Sequence, residues 1–246
     1  MEIILTILYI LLGILGAIVA SFLLLILFTI IVSLFADKNK VYTKHSRFYR
    51  RLLNLWTWVM MKLLYIKVHV TGMEKMNDVK GRFLLVSNHR SNFDPLLSWY
   101  VFKKYDIAYI SKKKNFSVPF FGAIIRKCCF LDIDRDNPAK ALETVNQAVA
   151  LIEDDQVSIG VYPEGTRSKE CVLLPFRNGV FKTAVKAKVP VVVITVRGTE
   201  KIHKQPLFKR HDVYIDLLEV LDVDYVTSHR TVEIGEKVEN IMHRKV

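Results

Sequence analysis

"FLLVSNHRSNFDP", residues 83–95, runs from an apolar stretch through turn-forming residues to an Asp-Pro pair. The apolar residues read as a buried strand ending at Asn88. Asp94 followed by Pro95 is a helix start, with aspartate at the N-cap and proline at the first helical position. Strand, loop and helix in immediate succession are the opening of a βαβ unit. Working outward, short β-branched runs recur as "KVHVTG", "IAYIS", "FLDID", "VSIGVYP", "VPVVVITV" and "DVYIDLLEV". Helical patterns lie between several of them, at 138–154 and 176–188. A closing amphipathic helix is expected at the C-terminus, capped by Thr227 or Ser228. Strands alternating with helices predict an α/β fold with a mixed sheet, parallel at its centre and flanked by helices.

The same stretch carries two ionisable groups, His89 and Asp94, five positions apart. On a continuous helix they would point roughly 140° away from each other, at about 100° per residue. A loop between a strand tip and a helix start can bring them together, and strand tips are where α/β sheets hold their ligands. One oxygen of an N-cap aspartate can serve the helix while the other accepts the imidazole Nδ1–H. That bond fixes the tautomer and leaves Nε2 free to take a proton. No G-x-S-x-G elbow supplies a serine nucleophile. A dyad of this kind therefore takes its nucleophile, a hydroxyl, from the substrate. The bare spacing reads as readily as a solvated surface histidine near a capping aspartate.

Half the residues (51%) are hydrophobic, and the formal net charge is +12. No charge interrupts Ile3 to Ala36, a run longer than the roughly 20 apolar residues that cross a bilayer core. A signal peptide has a basic start and a shorter apolar core, whereas only Glu2 precedes this run. Residues 1–37 are expected to be a retained transmembrane segment. Whether it crosses once or re-enters near Gly13 and Gly16 stays open. Lys38, Lys40, Lys44, Arg47, Arg50 and Arg51 follow without an acid among them, which places the rest of the chain on the cytoplasmic face of the cell membrane.

This collar also explains the basic balance as attraction to anionic lipid. No zinc-finger, helix-turn-helix or ribonucleoprotein pattern points to nucleic acid. Residues 38–66, with Trp56, Trp58 and Tyr65, read as the collar followed by an interfacial helix, with a core helix as the alternative. Cys128, Cys129 and Cys171 lack metal-site spacing and read as reduced, buried thiols. Residues 67–246 contain no repeat or Pro/Gly-rich linker and form one domain of catalytic size.

Two further blocks, "VPFFGAIIRKCCFLDIDR" (118–135) and "VYPEGTRSKECVLLPFRNGVFKTAVKAKVPVVVITV" (161–196), follow "NHRSNFDP". In order and interval, from about Thr71 to Thr199, the chain resembles the 1-acyl-sn-glycerol-3-phosphate acyltransferase family, particularly its short bacterial members. It departs from the family at Val193, where a second proline is usual, and near Lys114, where an acid is usual.

The resemblance implies a glycerolipid acyltransferase fold behind the N-terminal helix, with His89 and Asp94 as the catalytic pair. It implies transfer of an acyl group from acyl-CoA or acyl carrier protein to the sn-2 hydroxyl of lysophosphatidic acid, giving phosphatidic acid. Arg135, Arg167 and Lys112 would then hold the headgroup phosphate, since guanidinium suits phosphate bidentately. Glu164, Gly165 and Thr166 belong to the same substrate-binding block, with Glu164 holding the following loop or a substrate hydroxyl. Phe120 and Phe121 read as core residues or as the lining of an acyl groove. Backbone amides are expected to stabilise the oxyanion, and neither a metal nor a cofactor is expected. An acceptor other than lysophosphatidic acid, such as another lyso-lipid or glycerol 3-phosphate, and a non-catalytic lipid-binding protein are the alternatives.

Overall fold

The computed structural model describes residues 1–206 and 209–245. Helix α1 (Glu2–Ser33) runs without a break through Gly13 and Gly16, so no re-entrant turn forms there. It spans about 48 Å at 1.5 Å per residue. Its side chains stay exposed until it meets α2 (Arg47–Leu63). There Trp56 Nε1 donates to Thr29 Oγ1 at 2.9 Å, and the Tyr49 hydroxyl donates to the Val32 carbonyl at 2.9 Å.

Helix α2 is amphipathic. Tyr49, Leu52, Leu53 and Thr57 are buried, while Phe48, Leu55 and Trp58 face outward. Arg50 differs from the rest of the basic collar. It is buried, and its guanidinium donates to the carbonyls of Asp106, Ile107 and Cys128. Its Nε makes no hydrogen bond but lies 3.7 Å from the Asp106 carboxylate, and a guanidinium with these partners can be buried where a bare charge cannot.

The domain is built on seven strands: β1 (Ile66–Thr71), β2 (Leu84–Ser87), β3 (Ile107–Lys112), β4 (Leu131–Ile133), β5 (Ser158–Val161), β6 (Val191–Arg197) and β7 (His211–Leu221). They lie in the order β1-β7-β6-β2-β5-β3-β4. Every pair is parallel except β6 with β7, which is antiparallel. Each β-branched run in the sequence became one of these strands. The central ones are apolar on both faces, as a sheet covered on both sides requires. Leu84, Leu85 and Val86 of β2 are at most 1% exposed.

Helices α3 (Asp94–Val101) and α4 (Phe121–Lys127) pack with α1 and α2 in one layer. The other layer holds α5 (Pro138–Glu153), α6 (Lys182–Ala187), α7 (Val223–Ser228) and α8 (Thr231–His243). The pattern at 176–188 yields only a 3-10 turn and the six-residue α6, ended by Lys188 in a left-handed conformation. The C-terminal cap also differs from expectation. Thr227 and Ser228 turn their hydroxyls back to the Val223 and Asp224 carbonyls and close α7. The long helix starts later, where Glu233 accepts the Arg230 backbone N–H.

Cys128 and Cys129 are buried, and burial pushes the Cys128 thiol up to about 12. Cys171 is only half-buried, on the loop after β5, contrary to its reading as a buried residue.

Candidate active site

The parallel strands β2 to β6 present their carboxyl ends along one edge, and each of the expected site residues sits there. The tip of β2 is fixed first. The Asn88 side chain exchanges two hydrogen bonds with the Val196 backbone at 2.7 and 3.0 Å, tying β2 to β6.

His89 follows, and its Nδ1 lies 2.8 Å from Asp94 Oδ2. That oxygen also accepts the backbone N–H groups of Arg90 (2.6 Å) and Ser91 (2.7 Å). The other oxygen accepts the Thr199 hydroxyl at 2.5 Å. Asp94 is fully buried and caps no helix. It is the first residue of α3, Phe93 takes the N-cap, and the carboxylate folds back into the loop before it. With an acceptor-only carboxylate on Nδ1, the proton resides on that nitrogen and Nε2 is left as the basic atom.

Glu164, just past β5, holds the backbone around the histidine. Its Oε1 accepts the His89 N–H at 2.6 Å and its Oε2 the Leu174 N–H at 3.1 Å. The Ser168 N–H donates to the His89 carbonyl at 2.8 Å. The glutamate therefore binds the loop to the histidine backbone. Burial raises its pKa to about 7, even though the two backbone N–H bonds oppose the shift.

Beneath the histidine lies a column of rings. His89 stacks on Tyr162 at 4.3 Å, and Tyr162 stacks on Tyr109 at 5.8 Å. Gly160 makes room for this column, because a Cβ there would sit 2.4 Å from a Tyr109 ring carbon.

A cavity of about 670 Å³ opens over the dyad. It is lined by His89, Lys112, Arg135, Gly165, Thr166 and Arg167, with an apolar side of Phe121, Ile125 and Phe130. The structure thus gathers every expected site residue. Asp94 and Glu164 stand behind the wall, and the other six face the cavity. Gly165 has φ +69°, and its missing side chain leaves space filled by Arg177, whose Nε would lie 3.2 Å from a Cβ. Phe120 and Phe121 do line a groove. A second, apolar cavity of about 370 Å³ lies among α1, α2, α3 and α4, and it shares Leu96 and Phe121 with the first. Among the described residues no cluster of three His, Cys, Asp or Glu side chains forms a metal-ligand set.

Asn88, Thr199, Tyr162 and Arg177 were not found from the sequence. Thr199 is 105 positions from the carboxylate it serves, and nothing in its local pattern marks it. Gly198 before it, with φ +91°, is the only local sign of a sharp turn there.

The model for the family described as Acyltransferase matches residues 67–197, the span that contains the sheet edge and both sides of the cavity. The chain belongs to the acyltransferase family. Relatives include the 1-acyl-sn-glycerol-3-phosphate acyltransferases of Escherichia coli, 30% identical over 68% of this chain and 67% of that protein, and of Haemophilus influenzae, 27% identical over 68% and 69%. The crystal structure of the 1-acyl-sn-glycerophosphate acyltransferase PlsC from Thermotoga maritima has the same fold. It superposes with a TM-score of 0.66 at 24% identity, covering 79% of this chain and 77% of that one. Within the acyltransferase domain, the dyad and the basic cavity wall fall inside the matched span.

Proposed function

We propose that this acyltransferase moves a fatty acyl group from a thioester on coenzyme A or acyl carrier protein to the sn-2 hydroxyl of lysophosphatidic acid, at the cytoplasmic face of the cell membrane. The observation that carries this reading is the dyad itself. Among the described residues the only side chain hydrogen-bonded to the His89 ring is Asp94, so no serine or cysteine of the chain is placed for activation. The nucleophile then comes with the acceptor.

Nε2 of His89 takes the acceptor's hydroxyl proton as that oxygen attacks the thioester carbonyl carbon. The tetrahedral intermediate collapses with cleavage of the C–S bond, and the leaving sulfur takes the proton back from the imidazolium. Asp94 keeps its charge throughout and stabilises the imidazolium. Arg167 and Lys112 on the cavity wall supply positive charge for the acceptor's phosphate. The apolar cavity reached past Leu96 and Phe121 receives acyl chain. The names of the relatives support the acceptor, and the exposed apolar α1 supports a membrane anchor. The exposed basic residues that follow it support the cytoplasmic orientation.

The test supplies labelled acyl thioester to the purified full chain in lipid vesicles, with lysophosphatidic acid, other lyso-lipids and glycerol 3-phosphate offered separately. Phosphatidic acid, identified by mass, is the expected product. Absence of thioester turnover with every acceptor overturns the reading. Protease protection in sealed cells tests the topology, which fails if residues after Lys40 are cut from outside.

A further inference from the structure

Asp94 holds the His89 ring at its edge, through the bond to Nδ1. One contact at the edge leaves the ring free to tilt about it. The tilt is restrained from another direction. The Tyr162 ring lies against the face of the imidazole, with centroids 4.3 Å apart and planes 26° from parallel. Tyr162 is backed by Tyr109 at 5.8 Å and 13°, and Phe130 meets Tyr109 edge-on at 5.7 Å. The row continues to Trp99, 5.5 Å from Phe130, whose Nε1 donates to Asn54 Oδ1 of α2 at 2.5 Å. The rings are wedged between α2 and the dyad, which keeps Tyr162 pressed on the histidine.

What Tyr162 offers the histidine is the face of its ring. Its hydroxyl is buried beside those of Tyr109 and Ser98 and bonds neither His89 nor Asp94. Burial raises the pKa of both tyrosines, so neither ring carries charge in the working range. An aromatic face is the negative pole of a quadrupole, and a cation within about 6 Å of the centroid is attracted to it. A neutral imidazole gains little from that field, whereas an imidazolium gains more. An interaction that strengthens as charge develops lowers the barrier and leaves substrate affinity alone.

We propose that Tyr162 is the positioning residue of the dyad: its ring face fixes the tilt of His89, aiming Nε2 into the reaction cavity, and stabilises the imidazolium formed during acyl transfer. The inference rests on the reading of His89 as the base. The other charged or titratable groups around the ring are Asp94 and Glu164 behind it, and Lys112, Lys114, Arg135 and Arg167 across the cavity. All of them stay in place when only position 162 is changed.

The test uses the full chain with Tyr162 replaced by phenylalanine, pentafluorophenylalanine or leucine. Tyr162→Phe keeps the ring face. The fluorinated ring keeps the shape but inverts the quadrupole, which guards against a leucine variant that fails to fold. Carbethoxylation of His89 by diethyl pyrocarbonate needs no turnover and is followed against pH in the tryptic peptide 83–90, whose single histidine is His89. Only neutral imidazole reacts, so the midpoint of the profile reports protonation of this ring. The midpoint should move to lower pH by about half a unit to one unit in the fluorinated and Tyr162→Leu proteins, and stay in place in Tyr162→Phe. In the same two proteins kcat should fall about five- to thirtyfold, the range of a cation–π contact, with both KM values within about twofold of native. A residue that only fills space would lower the melting midpoint of Tyr162→Leu and leave the carbethoxylation profile where it was. An unmoved profile in the fluorinated protein therefore overturns the proposal, and so does a kcat in Tyr162→Phe as low as in Tyr162→Leu. The carbethoxylation profiles hold whatever the acceptor proves to be, so failure of the ring contact is told apart from failure of the proposed reaction.

Discussion

Thr199 donates its hydroxyl to Asp94 Oδ1 at 2.5 Å and thereby satisfies the carboxylate oxygen that His89 does not use. Both residues are fully buried, so no water can replace the bond if it is lost. Thr199→Val keeps the shape and leaves that oxygen unpaired. A hydrogen bond to a charged group is worth about 1.5–3 kcal/mol, and part of that loss should fall on the rate. The expected outcome is a kcat lowered about tenfold with a reduced thermal midpoint, and recovery of both in Thr199→Ser. A Thr199→Val enzyme with native kcat would show that Asp94 holds its position without this bond.

His89→Ala removes the proposed base and should cost about 10² to 10⁴ in kcat while the protein still folds. Asp94→Asn should cost less. The asparagine carbonyl can keep the Oδ2 position, with its three donors, while its amide turns to Thr199, whose hydroxyl can also accept. The tautomer of His89 then survives and only the stabilising charge is lost. Because Asp94 caps no helix, no capping loss is expected in a melting measurement. Steady-state kcat values for the two variants, compared at saturating substrate, rank them.

Glu164 gives a pH dependence of known sign. Burial raises its pKa from 4.5 to about 7 in the folded chain, so the native state binds that proton more tightly than the unfolded state does. The contribution to stability is complete below about pH 4.5 and is lost as pH rises through 7. Denaturation midpoints taken between pH 5 and pH 8 should fall more steeply for the native chain than for Glu164→Gln. Parallel slopes in the two proteins would contradict the shift.

Arg50 connects α2 to the start of β3 and the end of α4 through three carbonyls. Replacing it with methionine takes the guanidinium away from those carbonyls and from the Asp106 carboxylate 3.7 Å from its Nε, and should cost about 3–5 kcal/mol, the scale of a broken buried ion pair. Chemical denaturation should show that loss, whereas Arg51→Met on the exposed side should change the midpoint little. Equal effects from the two would remove the structural distinction between these neighbours.

That distinction also shows where the sequence stops being informative. The strands were legible because each is a short apolar run bounded by turn residues, a property of neighbouring positions. The His89–Asp94 contact was legible because strand tip, loop and helix start are consecutive. Arg50 looked like any other member of a basic collar, and only its three carbonyl partners, 56 to 78 positions away, make it a core residue. Thr199, Tyr162 and Arg177 were hidden for the same reason, since each acts across the sheet edge on a residue from another strand. The helix caps near Asp94 and at the C-terminus went astray more locally. Aspartate, threonine and serine can bond either the helix ahead or the backbone behind, and here they chose the latter.

The two bonds from α2 to α1, at Thr29 and Val32, brace the long helix over its final turns only. From Glu2 to Ser21 it stands clear of the domain, a length of about 30 Å that equals the hydrocarbon thickness of a bilayer. A helix seated in lipid over that length and riveted at its base works as a mast and not as a tether. The strand edge carrying His89 would then ride at one height and one tilt above the headgroups, set by the brace. Lipid would have to climb to it along α1 and α2, so loosening Trp56 would change the reach of the site without touching its chemistry.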